Sequence, residues 1–333
     1  MPVGAGIAVQ PNATRVLSRL GLGPAVREQG AIVRSWQFRD EAGAMLFEVA
    51  LEPLWHTTGH FVGIERRRLH HLLSSAVGPC RLATSITALA QDDHLVSVET
   101  SDGASAAYDL VIGADGLNST VRRLAFGESR PTYGGQMVWR SLAPIHLEER
   151  DSVQFWLGDG CFFGLCPIGD GTYGFANVSG PRFNDATEGR LRRLGERFAS
   201  FGSAVRRYLA SVQGDAAIHC SPIEWLERTY WRHGRVVLIG DAAHAGSPMM
   251  GQGGSMALED ASILAESLQT ASDVPSALEA FVARRWERVE RVRVQSRATG
   301  EMLGQSPAVR NAHLREHGKT AFHQRFTPLR ADP

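Results

Sequence analysis

Cysteine is scarce: the chain of 333 residues holds only Cys80, Cys161, Cys166 and Cys220, and no two of them form a C-x-x-C pair. A chain this long buries a core without covalent staples. The four therefore read as reduced thiols in a cytoplasmic protein, not as a disulfide frame or a redox motif. Lysine is scarcer, with Lys319 alone. An excess of either charge is missing as well: 35 Lys and Arg balance 35 Asp and Glu, so the formal net charge is zero. This gives no electrostatic basis for binding nucleic acid or an anionic membrane. No apolar run approaches the roughly 20 residues that span a bilayer, and the opening Met-Pro-Val-Gly-Ala-Gly has no charged-then-apolar signal pattern. Internal repeats, low-complexity tracts, metal-ligand spacings and a Gly-x-Ser-x-Gly elbow are all absent.

What is there is ordinary globular composition, 43% hydrophobic and 21% charged, at a length that suits two linked domains. Val16, Leu17 and Leu20 mark a short helix over residues 10–20, stopped by Gly21 and Gly23. Residues 36–39 and 45–51 read as paired strands, 66–76 as a helix, and 81–91 and 95–100 as strands. The apolar runs ending in Gly113-Ala-Asp115-Gly116 and Gly240-Asp241 have the pattern of strands buried on both faces. Between them, strand-like runs at 136–143, 152–157, 161–167 and 172–178 indicate an inserted antiparallel sheet. Residues 255–268 and 275–297 read as helices. The basic cluster from Arg284 to Arg297 reads as a solvated helix face, and the polar stretch after Gly304 as a partly irregular tail.

The strongest motif is Gly240-Asp-Ala-Ala-His244-Ala-Gly-Ser-Pro248-Met-Met-Gly251-Gln-Gly-Gly-Ser255-Met-Ala-Leu-Glu259-Asp260. A buried strand delivers a carboxylate at its carboxyl end, where open α/β sheets bind ligands. A proline turn and clustered glycines follow, then a helix start. Glycine lets the backbone approach a flat ligand, and the helix start offers free amides and the positive end of its dipole.

This stretch resembles the Gly-Asp motif and Pro-x-x-Gly-Gln-Gly loop of the class A FAD-dependent monooxygenases, the para-hydroxybenzoate hydroxylase superfamily. The resemblance implies that Asp241, following Gly240, bonds the ribityl chain of FAD. It also implies that Met250, Gly251, Gln252, Gly253 and Gly254 line the flavin, with Ser255 where many relatives have Asn. Pro248 and Gly251 fall at the oxygen-reacting face. Asp115-Gly116 resembles the family's Asp-Gly motif, tied to FAD and nicotinamide binding. Ile64-Glu-Arg66-Arg-Arg-Leu69 resembles the helix whose first-turn arginine reaches FAD, a role that falls to Arg66. Ile86 lies where relatives hold the adenine through backbone groups. His244 reads as a structural or supporting residue.

The implied fold is α/β: a doubly wound FAD-binding domain from residues 1–131 and 229–300, an antiparallel-sheet substrate domain from 132–228, and a tail from 301–333. The strands within 34–64 are expected to join the substrate sheet. The implied activity is NAD(P)H-dependent hydroxylation of a small aromatic or heteroaromatic ring through a flavin hydroperoxide, with FAD as cofactor, NADH or NADPH as reductant and dioxygen as co-substrate. The substrate walls are expected among Trp139, Arg140, Phe163, Tyr173 and Phe175, only some of which face one way because strands alternate. An inward Arg140 would favour an acidic aromatic or urate-like substrate.

Relatives open with a strand, Gly-x-Gly-x-x-Gly, a helix and a second strand, and this chain is expected to lack that βαβ unit. Gly4-Ala-Gly6-Ile-Ala-Val9 lacks the third glycine, and residues 2–12 match the family's next landmark instead. The resemblance thus runs from Pro2 to Arg297. Either the start is placed too far downstream or the chain is a truncated product, and by itself it is expected to bind FAD poorly and to be marginally stable. The alternatives are another FAD-dependent oxidoreductase of the superfamily, such as a reductase or halogenase, and a non-enzymatic paralogue that binds no FAD. Having only Lys319 counts against a halogenase, which is expected to carry a lysine beside a tunnel.

Overall fold

The structure is a computed structural model and describes residues 5–333. Pro2 and Gly4, where the family match and the short glycine run begin, lie outside the described residues. The chain forms two compact units. The first comprises the residues up to Val77, Gly135–Ile223 and Ala298–Asp332; the second comprises Gly78–Gly134 and Glu224–Arg297.

The first unit is built on a seven-stranded sheet. Its order is His219–Trp225, Thr132–Ala143, Gly171–Ser179, Cys161–Ile168, Ser152–Leu157, Ser35–Asp40 and Met45–Ala50. From Thr132–Ala143 to Met45–Ala50 the pairing is antiparallel except between Ser152–Leu157 and Ser35–Asp40, which run parallel. Strand alternation gives the sheet two different faces. On one face Phe47, Phe38, Phe155, Gly164, Phe175 and Arg140 lie opposite one another in a single row. Phe38 stacks on Phe47 at 4.3 Å and on Phe155 at 4.8 Å. A Cβ on Gly164 would meet the Phe175 ring at 2.2 Å, so the glycine makes room for Phe175 to lean to within 5.7 Å of Phe155. The opposite face carries Trp139, Phe163, Leu165 and Ala176 into a core with Phe198, Val205, Tyr208 and Leu209.

The tail is not irregular. Residues Pro307–Phe326 form a helix. Arg310, Leu314, Gly318, Phe322 and Phe326 recur every four residues and are all buried, which makes one stripe along the helix. Gly318 sits against the Phe47 ring, and Phe322 and Phe326 pack edge-on to Trp36 at 5.3 and 5.8 Å. The fully buried Arg310 donates to the carbonyls of Gly158 and Leu157 at 2.6 and 3.0 Å. Polar composition conceals the helix because its stripe includes an arginine and a glycine.

In the second unit Val236–Leu238 pairs in parallel with Val111–Gly113 and antiparallel with Arg232–His233. Val236, Val237 and Leu238 are all buried, as a strand covered on both faces requires. The same expectation fails for the first run: Ile112 is 46% exposed, between buried Val111 and Gly113. Val111–Gly113 is an edge strand of this three-stranded sheet, and among the described residues the Ile112 side of it is uncovered. Val111, Val236 and Leu238 pack with Val96, Val98, Val121, Ala242 and Ala243. The helix Gly253–Thr270 and the long helix Val274–Leu303 complete the architecture. Among the described residues no helix is long and apolar enough to cross a membrane.

Candidate functional site

In the second unit the strand Val236–Leu238 leads to Gly240, whose φ of +59° and ψ of −143° favour glycine. A Cβ there would lie 3.0 Å from that of Ala257, so the turn also packs closely on the helix Gly253–Thr270. Asp241 opens the short helix Asp241–His244 and is exposed. Among the described residues its carboxylate has no hydrogen-bond or ion-pair partner. Its Oδ1 lies 3.9 Å from the Cβ position of Gly253, the first residue of the following helix.

The loop between them has a definite orientation. Met250, Gln252 and Ser255 are buried, whereas Pro248, Gly251, Gly253 and Gly254 are exposed. Side chains turn inward and glycine main chain faces outward, with Gly251 in the left-handed region at φ +63°. Met250 and Gln252 are thus buried beneath the exposed glycines. A free carboxylate beside an amide-rich helix start suits a polyhydroxyl chain joined to a flat ring that becomes anionic on reduction. The residues fit FAD.

A buried ionic network supports this surface. Asp260 Oδ2 accepts from the Gly240 amide at 2.9 Å and lies 2.6 Å from His244 Nε2; Asp260 Oδ1 accepts from Arg285 Nε at 2.8 Å. Arg285 also donates to Glu259 at 2.8 Å, and Arg288 does so through two nitrogens at 2.7 and 2.8 Å. Burial pushes the Asp260 carboxyl up, but the His244 ring, the Arg285 guanidinium and the Gly240 amide together outweigh it and hold the group below its ordinary value. The basic cluster is therefore only in part a solvated face: Arg284 and Arg291 are exposed, but Arg285 is fully buried and Arg293 is buried as well. The signal was the spacing of Phe281, Arg285, Val289, Val292 and Ser296, which puts arginine on the apolar stripe.

Asp115 takes up the start of the helix Thr120–Phe126. Its carboxylate accepts from Ser119 Oγ at 2.5 Å and from the amides of Thr120 and Val121 at 2.7 and 3.1 Å. The buried Arg122, unremarked in the motif, donates to the carbonyls of Leu117 and Ala242 at 2.6 and 2.8 Å and so ties the Asp-Gly turn to the Gly-Asp helix. Ile86 begins the strand Ile86–Gln91 opposite Thr100 and packs on the core of this unit.

In the first unit Arg66 is exposed at the first position of the helix Arg66–Ser75, and its amide donates to the Ala5 carbonyl at 3.3 Å. Arg67 and Arg68 pair with Glu65 at 3.0 and 3.5 Å. The sheet brings Arg140, Tyr173 and Phe175 to one face, with Phe175 directly opposite Arg140 and Tyr173 tilted against it at 5.2 Å. Trp139 and Phe163 belong to the other face; Phe163 is packed on Phe198 and Tyr208 at 5.2 and 5.8 Å. Burial pushes the Tyr173 hydroxyl up, against the opposing pull of Arg140. Arg140 Nη1 donates to Ser221 Oγ at 3.1 Å. No group of three or more potential metal ligands occurs among the described residues.

The family model described as FAD binding domain matches residues 9–296. The chain is 32% identical over 292 residues to an aurachin C monooxygenase/isomerase of Stigmatella aurantiaca, covering 86% of this chain and 76% of that one. It is 31% identical over 307 residues to an FAD-dependent urate hydroxylase of Klebsiella pneumoniae subsp. pneumoniae, covering 89% and 79%. Among solved structures, the Klebsiella pneumoniae protein HpxO complexed with FAD and uric acid matches with a TM-score of 0.88 at 26% identity, over 99% of this chain and 89% of that one.

Proposed function

The chain belongs to the FAD binding domain family and is an FAD-dependent monooxygenase, and we propose that its flavin-binding surface is the one formed by Asp241 and the start of the helix Gly253–Thr270. The observation that carries this is the carboxylate of Asp241, unpartnered among the described residues, beside outward-facing glycine backbone. Asp241 accepts hydrogen bonds from hydroxyls of the ribityl chain. The amides at Gly253 and Gly254 and the helix dipole stabilise negative charge on the ring, and Pro248 and Gly251 border its reacting face. Ile86 contributes backbone to the adenine, and Asp115 orders its own turn toward the cofactor. In this reading the parallel strands Val111–Gly113 and Val236–Leu238 belong to a doubly wound layer.

FAD, held by Asp241 and the amides at Gly253 and Gly254, would supply the redox chemistry by which, with reducing equivalents from NADH or NADPH, one atom of dioxygen would enter the ring of a small aromatic or heteroaromatic substrate and the other would leave as water. The protein's share is position, electrostatics and exclusion of water. Arg140, Tyr173 and Phe175 form the wall against which the substrate ring lies. Urate and 6-hydroxynicotinate, named for two relatives, are rings of this class.

The test is consumption of NAD(P)H and oxygen by the FAD-loaded enzyme across phenols, aromatic acids, purines and quinolones, with mass analysis of products. Faster NAD(P)H oxidation with one ligand class, together with a product carrying one added oxygen atom, is the expected result. Flavin reduction with no oxygenated product from any ligand would replace hydroxylation by a reductase activity.

A further inference from the structure

In an irregular tail His313 and His317 would have no spacing of chemical meaning. On the helix Pro307–Phe326 they fall four residues apart, on consecutive turns of one face. The fold leaves that face open. The stripe of Arg310, Leu314, Gly318 and Phe322 is buried, whereas His313 and His317, each one residue before a member of it, are exposed. Their ring centroids lie 5.0 Å apart, with the planes at 57°. Among the described residues the His313 ring has no hydrogen-bond or ion-pair partner. The His317 ring has one polar neighbour, Glu316, whose Oε1 lies 3.5 Å from Nε2. The basic side chains nearby in sequence are turned elsewhere: Arg315 pairs with Asp40 at 3.4 Å, and Lys319, two residues beyond His317, falls on another side of the helix.

We propose that His313 and His317 chelate one divalent transition ion of the zinc, nickel and copper class, each through one ring nitrogen. Metal–imidazole bonds of about 2.0–2.1 Å at a tetrahedral angle put two ring centroids about 5 Å apart, and the helix holds the rings at that separation before any ion arrives. Two histidines at this spacing on one helix face are a known way of gripping zinc. Imidazole selects these ions over magnesium and calcium, which take oxygen ligands. The Glu316 carboxylate beside His317 offsets part of the ion's charge. No group of three or more potential ligands occurs among the described residues, so water completes the coordination and the ion exchanges. The site is a clip and not a catalytic centre. It bridges one turn of the helix whose buried stripe packs on Phe47 and Trp36, and an ion bound only by the folded helix stabilises it. The proposal does not depend on the flavin-binding surface.

The experiment is titration of the full chain with Cu²⁺, Ni²⁺, Zn²⁺ and Mg²⁺, followed by calorimetry, thermal melts and the electron paramagnetic resonance of bound Cu²⁺. One Cu²⁺ is expected to bind more tightly than one Ni²⁺ or Zn²⁺, with no binding of Mg²⁺. Its spectrum is expected to show coupling to two nitrogens. His313→Ala and His317→Ala are each expected to weaken the tightest site by about a hundredfold, because the second ligand acts intramolecularly. Both are also expected to abolish the rise in melting temperature that the ion produces. The metal-free melts should match that of the native chain, since both side chains are exposed. His70→Ala, at an exposed histidine of the helix Arg66–Ser75, is expected to change none of these readings. A tightest site that survives the double substitution, coupling to a single nitrogen, weak binding spread over other histidines, or Mg²⁺ binding as tight as that of Zn²⁺ would each overturn the proposal.

Discussion

The Asp260 carboxylate accepts the amide proton of Gly240 at 2.9 Å from a position twenty residues further along the chain, inside the helix whose start adjoins Asp241. One side chain thereby locks the turn that presents Asp241 to the helix that presents Gly253. Arg285 and His244 hold that carboxylate from other sides. Exposed Asp241 and the exposed glycines can remain unpaired because the rigidity comes from beneath them.

Removing this anchor is expected to be costly. Asp260→Ala leaves Arg285 buried without one of its carboxylates, and breaking a buried pair typically costs about 3–5 kcal/mol. Urea denaturation of the two proteins measures it. A loss below about 1 kcal/mol, the worth of an exposed pair, would show that the network contributes no more than surface charges do.

The same group gives a pH dependence with a definite sign. Its folded value lies below the ordinary 3.8, so its contribution is present above that value and is lost as pH falls through the depressed one. The stability difference between the native protein and Asp260→Asn is expected to be flat near neutrality and to narrow below about pH 4. A difference that persists unchanged to about pH 2 would place the carboxyl outside this network.

Gly240 and Gly253 separate structural from functional glycine. Gly240→Ala forces a side chain into a glycine backbone conformation and against Ala257, at an expected cost of about 1–3 kcal/mol. A Cβ at Gly253 would meet only Asp241 Oδ1, at 3.9 Å, so Gly253→Val adds its side chain on the exposed side of the turn. It is expected to leave the melting temperature nearly unchanged while weakening FAD binding. Thermal melts of the apoproteins beside flavin titrations check both, and a Gly253→Val protein that binds FAD normally would remove the glycine face from the cofactor site.

Phe163 and Phe175 make a corresponding pair in the sheet. Phe163→Ala opens a cavity in the packed core and is expected to cost about 3–5 kcal/mol. Phe175→Ala is expected to lose less stability and to raise the KM for the aromatic substrate. Denaturation and steady-state kinetics distinguish the two. Equal stability losses with no change in KM would put Phe175 in the core as well.

The contrast shows where sequence reading ran out. Period-two alternation says that Phe163 and Phe175 occupy a strand pattern, but register across strands decides which face each takes, and register is a long-range property. The strand Val236–Leu238, the turn at Gly240 and the helix after it, expected from Ser255 and found from Gly253, were legible because local chemistry dictates them: an apolar run, a glycine conformation and a helix start. The burial of Arg285 was not, since charge dominates a composition-based reading and its partners Asp260 and Glu259 lie twenty-five and twenty-six residues away. The tail helix was missed for the same reason, with Arg310 and Gly318 interrupting an otherwise apolar stripe that only Phe47 and Trp36 explain. The inward turn of Met250 and Gln252 was a matter of side-chain direction, which a loop sequence does not encode by period.

The central claim is that Asp241 holds the cofactor. Titrating FAD into the apoprotein and into Asp241→Ala, followed by flavin fluorescence and absorbance, tests it most directly. A charged acceptor bonded to a ligand hydroxyl is worth about 1.5–3 kcal/mol, so the variant is expected to bind FAD about one to two orders of magnitude more weakly. Because the side chain is exposed and unpaired, its melting temperature without FAD should match that of the native protein. An unchanged FAD dissociation constant in a folded Asp241→Ala protein would contradict the account.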